Sequence, residues 1–333
     1  MIELIIAISL LIGGSILMII ASDIAVEHSI FLAAAFGVSP IIIGVTLVSL
    51  GTDLPEIINS LFSSAIGHAN MDIGDSMGSV LTQFTLVLGL LPFIGRAFKV
   101  VRKEILVMGG CLILALVLVL SIIEKGYMTW LNGLILVLSW PIYVLLTDVV
   151  VDKQKLKDAH SNLKFKSKLY HISLAIMGFI GIVIGVSMII ASVLELSRIF
   201  NTPDFIISFF LVSIGTSLPE LVVDLGAIRR GETEIAIGDI MGSCIIDASI
   251  AIGIGQVFFP QPVSAGLAMP AILYIIIASI GVIFILAYRE KVDRKAGIIL
   301  IAFYLLSFTL LFVLRTSPAW DIPSLTTLIE GLI

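Results

Sequence analysis

Glu220 ends the octapeptide Ser213-Ile-Gly-Thr-Ser-Leu-Pro-Glu, deep in an apolar stretch, and Glu56 ends a near-copy, Ser49-Leu-Gly-Thr-Asp-Leu-Pro-Glu. A second pair of acids, Asp75 and Asp239, sits in Ile-Gly-Asp-x-Met-Gly-Ser, within runs otherwise apolar enough to span a membrane. A lone carboxylate in low dielectric must neutralise or find a counter-charge. No lysine or arginine lies within either motif to supply it, so the counter-charge must come from bound cations or from protons. Four such acids meeting in one place form an anionic cage able to hold one divalent ion or several monovalent ones. Like-charge repulsion disfavours the same cage empty, which is a physical root for obligatory exchange.

The oxygen donors around these acids are hard. Glycines 51 and 215, each followed by Thr, a polar residue, Leu and Pro, interrupt their spans. Pro55 and Pro219 fit the first turn of a new half-helix, where a missing N–H costs nothing, and Glu56 and Glu220 then fall at the positive end of its dipole. Carbonyls freed just before the glycines, with the hydroxyls of Ser49, Thr52, Ser213, Thr216 and Ser217, offer ligation suited to Na⁺ and Ca²⁺. Asp75 and Ser79 are four apart and share a helix face, as do Asp239 and Ser243. Asp53 stands where the other copy has Ser217, beside the break, and is expected to touch an ion or a coupling proton. Gln83 and Asp247 occupy equivalent places beyond the second acids; Asp247 reads as a site or supporting residue, and Gln83, Ser79 and Ser243 as supporting residues. Asp224 is expected to line an access path, Asp72 and Glu234 to be solvated near the membrane boundary, and His68 to be a solvated loop residue. Met71, Met77, Met188, Met241 and Met269 are too scattered for a soft-metal path and read as packing.

The elements that must position these residues are membrane-spanning helices. Of 333 residues, 59% are hydrophobic and only 13% charged, with a mean hydropathy of +1.18. Ten apolar runs are long enough for a hydrocarbon layer of about 30 Å: 2–21, 30–50 continuing through 54–66, 73–94, 105–123, 127–147, 171–194, 205–225, 235–258, 267–287 and 297–314. The start Met1-Ile2-Glu3 has no basic leader, so the first run reads as a retained span rather than a cleaved signal peptide. Two cysteines, Cys111 and Cys244, both in apolar runs, make neither a disulfide framework nor a cysteine metal site.

The two motifs are one pattern written twice. Val48–Gly89 and Val212–Gly253 align at a single offset of 164 residues, with 16 identities in 42 positions and no gap. The shared residues are largely Gly, Ser, Thr, Pro, Glu and Asp, which chance matching of apolar sequence does not produce. The hydrophilic segment 148–170 divides the chain into a first five-helix repeat, 1–147 with core motif 46–90, and a second, 171–333 with core motif 210–254. Five spans is an odd number, so the copies are inverted, with broken helices 2 and 7 and a shared site near the midplane. With both termini outside, sixteen of the nineteen Lys and Arg residues fall on the cytoplasmic side, including the basic linker 148–170. The expected fold is thus an all-α integral membrane protein of ten helices in the cell membrane.

Other classes fit poorly. The four histidines lie near or beyond span ends, no HExxH or cysteine pair is present, and an enzyme is not expected. The linker lysines lack aromatic partners, so nucleic acid is not an expected partner; they sit near anionic headgroups. One chain carries both copies, so a monomer could be complete, and the sequence leaves the oligomeric state open.

The paired motifs G-T-[DS]-L-P-E and G-D-x-M-G-S in inverted halves resemble the cation/Ca²⁺ exchanger superfamily, and within it the prokaryotic sodium/calcium exchanger-like proteins. The resemblance implies antiport of Ca²⁺ against Na⁺ by alternating access, with the two first helices sliding against a bundle of eight. By the same resemblance Glu56 and Glu220 are calcium-binding glutamates, Thr52 and Thr216 join them, Ser217 ligates sodium, and Asp239 matches an aspartate of sodium-coupled members. Asp75 departs from a frequent asparagine, Asp53 from serine, Val80 and Cys244 from asparagine, and Gln83 and Asp247 from another asparagine pair. These departures leave open proton-coupled exchange of Ca²⁺ or another divalent ion such as Mg²⁺, a K⁺-linked or monovalent exchanger, and a cation channel. No cofactor is implied beyond the transported ions.

Overall fold

The computed structural model describes residues 2–33, 46, 49–148 and 165–316. Residues 34–45 of the expected second span, 149–164 of the expected linker, and 317–333 lie outside the described residues. The first half contains α1 (Ile2–Ala33), the single turn α2 (Ser49–Thr52), α3 (Leu54–Ala65) and α4 (Ala69–Leu81). A π-helical stretch (Thr82–Val87) joins α4 to α5 (Leu88–Ile94), followed by β1 (Phe98–Lys99), α6 (Arg102–Ile123), β2 (Tyr127–Met128) and α7 (Trp130–Asp148). The second half repeats the order: α8 (Phe165–Phe200), α9 (Asp204–Ile207), a π-helical stretch (Ser208–Val212), α10 (Ser213–Thr216), α11 (Leu218–Arg230) and α12 (Thr233–Ile246). A third π-helical stretch (Asp247–Ala251) leads to α13 (Ile252–Phe258), β3 (Gln261–Pro262), α14 (Ala265–Arg289), β4 (Lys291–Val292) and α15 (Arg294–Thr316).

The fold is all-α and multi-pass, because a backbone in hydrocarbon must satisfy its polar groups within each segment. Among the described residues six helical columns are long and apolar enough to cross: 69–94, 102–123, 130–147, 204–229, 233–258 and 265–289. Ten spans were expected. α2 and α3 together run only from Ser49 to Ala65, with residues 34–45 and 47–48 before them outside the described residues, and the apolar part of α1, Glu3–Met18, is short of a span by itself. Helices also outrun the apolar runs: α1 continues to Ala33 and α8 starts at Phe165, since no proline or glycine stops them where hydropathy falls.

Both interruptions have the same local cause and nearly the same geometry. Asp53 (φ −79°, ψ 3°) and Ser217 (φ −82°, ψ 4°) leave helical values just before Leu-Pro. The carbonyls expected to be freed before the glycines are only partly so: Ser49 O accepts Asp53 N–H at 2.9 Å and Ser213 O accepts Ser217 N–H at 3.0 Å. What proline removes is the donor four residues after Gly51 and Gly215, so it is those glycine carbonyls that lose an intrahelical partner. At the far ends of α3 and α11, Gly67 (φ +85°) and Gly231 (φ +90°) turn the chain in the left-handed region. The closing bonds also match: His68 N–H to Ser63 O at 2.8 Å, and Glu232 N–H to Ala227 O at 2.9 Å.

α1 and α8 pack antiparallel along their length. Ser192 Oγ donates to Ala7 O at 2.7 Å, the Arg198 guanidinium meets Glu3 at 3.2 Å, and His28 Nδ1 lies 3.0 Å from His171 Nδ1. Midway, Gly14 and Gly185 let the backbones approach so closely that a Cβ on either would stand 2.8–2.9 Å from the other's carbonyl oxygen. The same device brings the halves together at the core, where a Cβ on Gly74 or Gly78 would strike the backbone of Phe205 or Phe209. Gly78→Ala is therefore expected to destabilise the protein by roughly 1–3 kcal/mol, the usual range for overpacking, as a lower unfolding temperature in detergent. At one membrane edge Asp293 caps α15, accepting Ala296 N–H at 3.0 Å and both Arg289 and Lys291, which holds its carboxyl down at about 2.

Candidate cation-binding site

The two breaks and the middles of α4 and α12 meet at the centre of the molecule. Asp53, Glu56, Asp75, Glu220, Asp224, Asp239 and Asp247 are all 0% exposed. Among the described residues no lysine or arginine pairs with any of them.

Contacts cross between the halves in matching ways. Thr216 Oγ1 donates to Asp75 Oδ1 at 3.1 Å and lies 3.2 Å from Ser79 Oγ. In the other copy Thr52 Oγ1 donates to Asp239 Oδ1 at 3.4 Å and lies 3.5 Å from Ser243 Oγ. Each threonine on a break thus meets the aspartate and serine one turn apart on the opposite half's helix, as the shared-face spacing requires. Ser79 Oγ donates to Glu56 Oε1 at 3.4 Å, and Ser213 Oγ lies 3.3 Å from Thr82 Oγ1. The Ser49 carbonyl takes Thr52 Oγ1 at 3.2 Å.

The acids are drawn together beyond these bonds. One ligand oxygen each from Asp53, Glu56 and Asp247 lie within 4.8 Å of one another. Glu220 has Glu56, Asp53 and Asp239 as acidic neighbours, and Asp224 lies against Asp239. Both carboxylate oxygens of Asp53, Glu220, Asp224 and Asp247, one each of Glu56 and Asp239, and the Ser217 hydroxyl have no hydrogen-bond partner. A buried carboxylate oxygen without a donor costs several kcal/mol unless a cation or proton meets it. The donor set is all oxygen, from carboxylates and hydroxyls, which fits hard cations such as Na⁺ and Ca²⁺ and not soft metals.

Several residues stand elsewhere than expected. Asp247, read as either a site or a supporting residue, is in the three-acid group. Asp224 touches the cage through Asp239 rather than only lining a path to it. Asp72 is not solvated: it is fully buried, accepting Ser60 Oγ at 3.0 Å, because α13 covers the first turn of α4. His68 is solvated as expected, with its side chain 41% exposed, and its Nδ1 also lies 2.9 Å from Asp204 Oδ2 at the junction of the halves. Glu234 is half-buried at the start of α12. Gln83 takes Cys244 Sγ–H at 3.6 Å on Oε1 and leaves Nε2 unpartnered. Asn59 was missed: its Nδ2 donates to Asp75 Oδ2 at 2.6 Å. Its signal was present in its spacing, three residues after Glu56 on the same face of α3.

The chain matches the family described as "sodium/calcium exchanger protein" over residues 6–147 and 170–313. It is 30% identical over 297 residues to an uncharacterized membrane protein of Methanocaldococcus jannaschii, covering 88% of this chain and 94% of the relative. It is 29% identical over 274 residues to the inner membrane protein YrbG of Escherichia coli, covering 77% and 81%. A solved structure of the sodium-calcium exchanger NCX_Mj, soaked with Na⁺ and Sr²⁺, superposes with a TM-score of 0.66 at 29% identity, covering 92% of this chain and 98% of that one.

Proposed function

This chain belongs to the sodium/calcium exchanger protein family, and from that premise we propose that it exchanges Ca²⁺ for Na⁺ by alternating access at the buried acid cage. It is a transporter and not an enzyme. The observation that carries the reading is the set of unpartnered, fully buried carboxylate oxygens contributed by both halves, with no described basic side chain near them. A bound cation supplies the missing charge. Like-charge repulsion disfavours the emptied cage, so release to one side favours loading of another ion before the protein reorients.

Glu56 and Glu220, in this reading, hold Ca²⁺ with Thr52 and Thr216, and Asp53, Asp75, Asp239, Asp247, Ser49, Ser213 and Ser217 complete the Na⁺ and Ca²⁺ positions. Ser79, Ser243 and Gln83 support them. The architecture is ten helices in two inverted repeats, 1–147 and 171–333, with helices 2 and 7 broken. Support comes from the matching breaks and from the paired strands. Phe98 pairs with Val292 and Tyr127 with Pro262, and the 164-residue offset carries β4 onto β2 and β1 to within one residue of β3, so the two short ladders correspond with a one-residue shift in register. The protein is placed in the plasma membrane with both termini outside and the basic linker 148–170 cytoplasmic.

The test is ⁴⁵Ca²⁺ flux into proteoliposomes under opposed gradients. An outward Na⁺ gradient is expected to drive uptake that vanishes when Na⁺ is replaced by choline. Uptake driven by a pH gradient alone would replace sodium coupling with proton coupling. That second reading is favoured by one observation, the number of buried acids: Asp53, Asp224 and Asp247 add charge beyond what one Ca²⁺ neutralises. Asp53→Ser and Asp75→Asn are each expected to keep exchange while changing the ratio of Na⁺-driven to H⁺-driven flux by roughly threefold or more, within the range of a single buried charge.

A further inference from the structure

We infer that Asp72 forms a cation position outside the cage, on the side of the His68 turn, where Na⁺ or Ca²⁺ rests in passing between cage and solution. The inference builds on the exchange reading above.

α3 begins in the cage with Glu56 and carries Asn59, Ser60, Ser63 and Ser64 beyond it, all buried. Spaced i, i+1, i+4 and i+5, they form one polar face leading toward Gly67. Asp72 faces this stripe from α4, one turn before Asp75, so it lies about 4.5 Å further along the helix axis from the cage. Its carboxylate accepts Ser60 Oγ at 3.0 Å and Ser76 Oγ at 3.5 Å. Gln256 of α13 stands beside the same carboxylate. Its Nε2 is pinned to Ser64 Oγ at 2.9 Å, while its Oε1 is buried and unpartnered. Asn59 links the two positions, with Nδ2 on Asp75 and a second unpartnered buried oxygen, Oδ1. Gly255 brings α13 close enough for its N–H to reach Ser60 Oγ at 3.1 Å, which turns that hydroxyl toward Asp72. A carboxylate with two hydroxyls on it, and two buried amide oxygens without donors on the neighbouring Gln256 and Asn59, make an all-oxygen setting suited to a hard cation, with no described lysine or arginine to compete for it.

The other copy does not repeat this stripe. Asn59, Ser63 and Ser64 correspond to Val223, Ala227 and Ile228, and Asp72 itself to Ala236. Only Asp224, at the place of Ser60, is charged there, and it belongs to the cage. The two routes out of the cage therefore differ, and loss of Asp72 is felt on one face.

The experiment measures half-saturating Ca²⁺ separately at each face of the full-length protein in oriented proteoliposomes, with ⁴⁵Ca²⁺ as probe. Asp72→Asn is expected to raise it about five- to tenfold at the His68 face, at the low end of what local charge does to cation capture, and to leave the other face within about twofold. Ser60→Ala, which keeps the carboxylate and removes one oxygen, is expected to raise it about threefold on the same face. Equal effects on both faces, or none on either, overturn the inference. If Asp72→Asn does not fold, Ser60→Ala decides by the same criterion. A wild-type protein without Na⁺-dependent flux overturns the proposed function, and this inference with it; wild-type exchange with an unsided Asp72 effect overturns the inference alone.

Discussion

Glu220→Gln is expected to abolish Na⁺-driven Ca²⁺ uptake, with a loss of at least about 100-fold, while the protein still folds. Both Glu220 oxygens are buried and unpartnered, with Glu56, Asp53 and Asp239 beside them. Glutamine preserves the shape and removes the charge. Withdrawing one partner from a buried charge pair costs about 3–5 kcal/mol, or roughly 10²- to several 10³-fold in cation affinity. The same change relieves repulsion in the ion-free protein. Uptake in proteoliposomes and unfolding in detergent should therefore move in opposite directions: flux disappears, while the ion-free unfolding temperature holds or rises. Glu56→Gln should do the same, although Glu56 keeps one bond from Ser79 at 3.4 Å and so has one free oxygen fewer. A Glu220→Gln protein that retains more than a tenth of wild-type flux would place the transported ion elsewhere.

Removing the cations should weaken the fold itself. A ligand at about 100 times its Kd stabilises the state that binds it by about 2.7 kcal/mol. For a domain of ordinary size that corresponds to roughly 5–10 °C in unfolding temperature. In Na⁺-free buffer with a Ca²⁺ chelator, the protein is expected to unfold at least about 5 °C lower than with saturating Ca²⁺, and Mg²⁺ or choline should not restore it equally. The cause is the concentration of acids at the cage: Asp53, Glu56 and Asp247 present oxygens within 4.8 Å of one another. Identical unfolding with and without cations would mean that protons, not metal ions, neutralise these groups.

How much of this was legible beforehand depended on the range of the interaction. Asp53 and Ser217 turn the chain because Leu-Pro follows them, a cause contained within four residues, and the backbone angles at the two sites agree within a few degrees. Asp75 with Ser79, and Asp239 with Ser243, share faces because helices repeat every 3.6 residues. Asp72 shows the opposite case. Its place at the start of a helix suggested a solvated boundary residue, yet it is sealed by Gly255 and Gln256, which lie over 180 positions away in sequence. Asp247 looked peripheral because it stands two turns past Asp239 on one helix. The π-helical stretch that begins at Asp247 and the crossing of α3 bring it against Asp53 and Glu56.

The residue order by itself thus determined the apolar, multi-pass class, the doubled motif and the places where helices must break, since each follows from composition, proline chemistry or helical period. Only the tertiary structure decided which acids crowd together, that Asp72 is buried against Ser60 a turn beyond them, and that His68 meets Asp204 across the halves. Those outcomes depend on how closely separate helices approach, and that approach is set by the glycines at 74, 78 and 255 against backbones far along the chain.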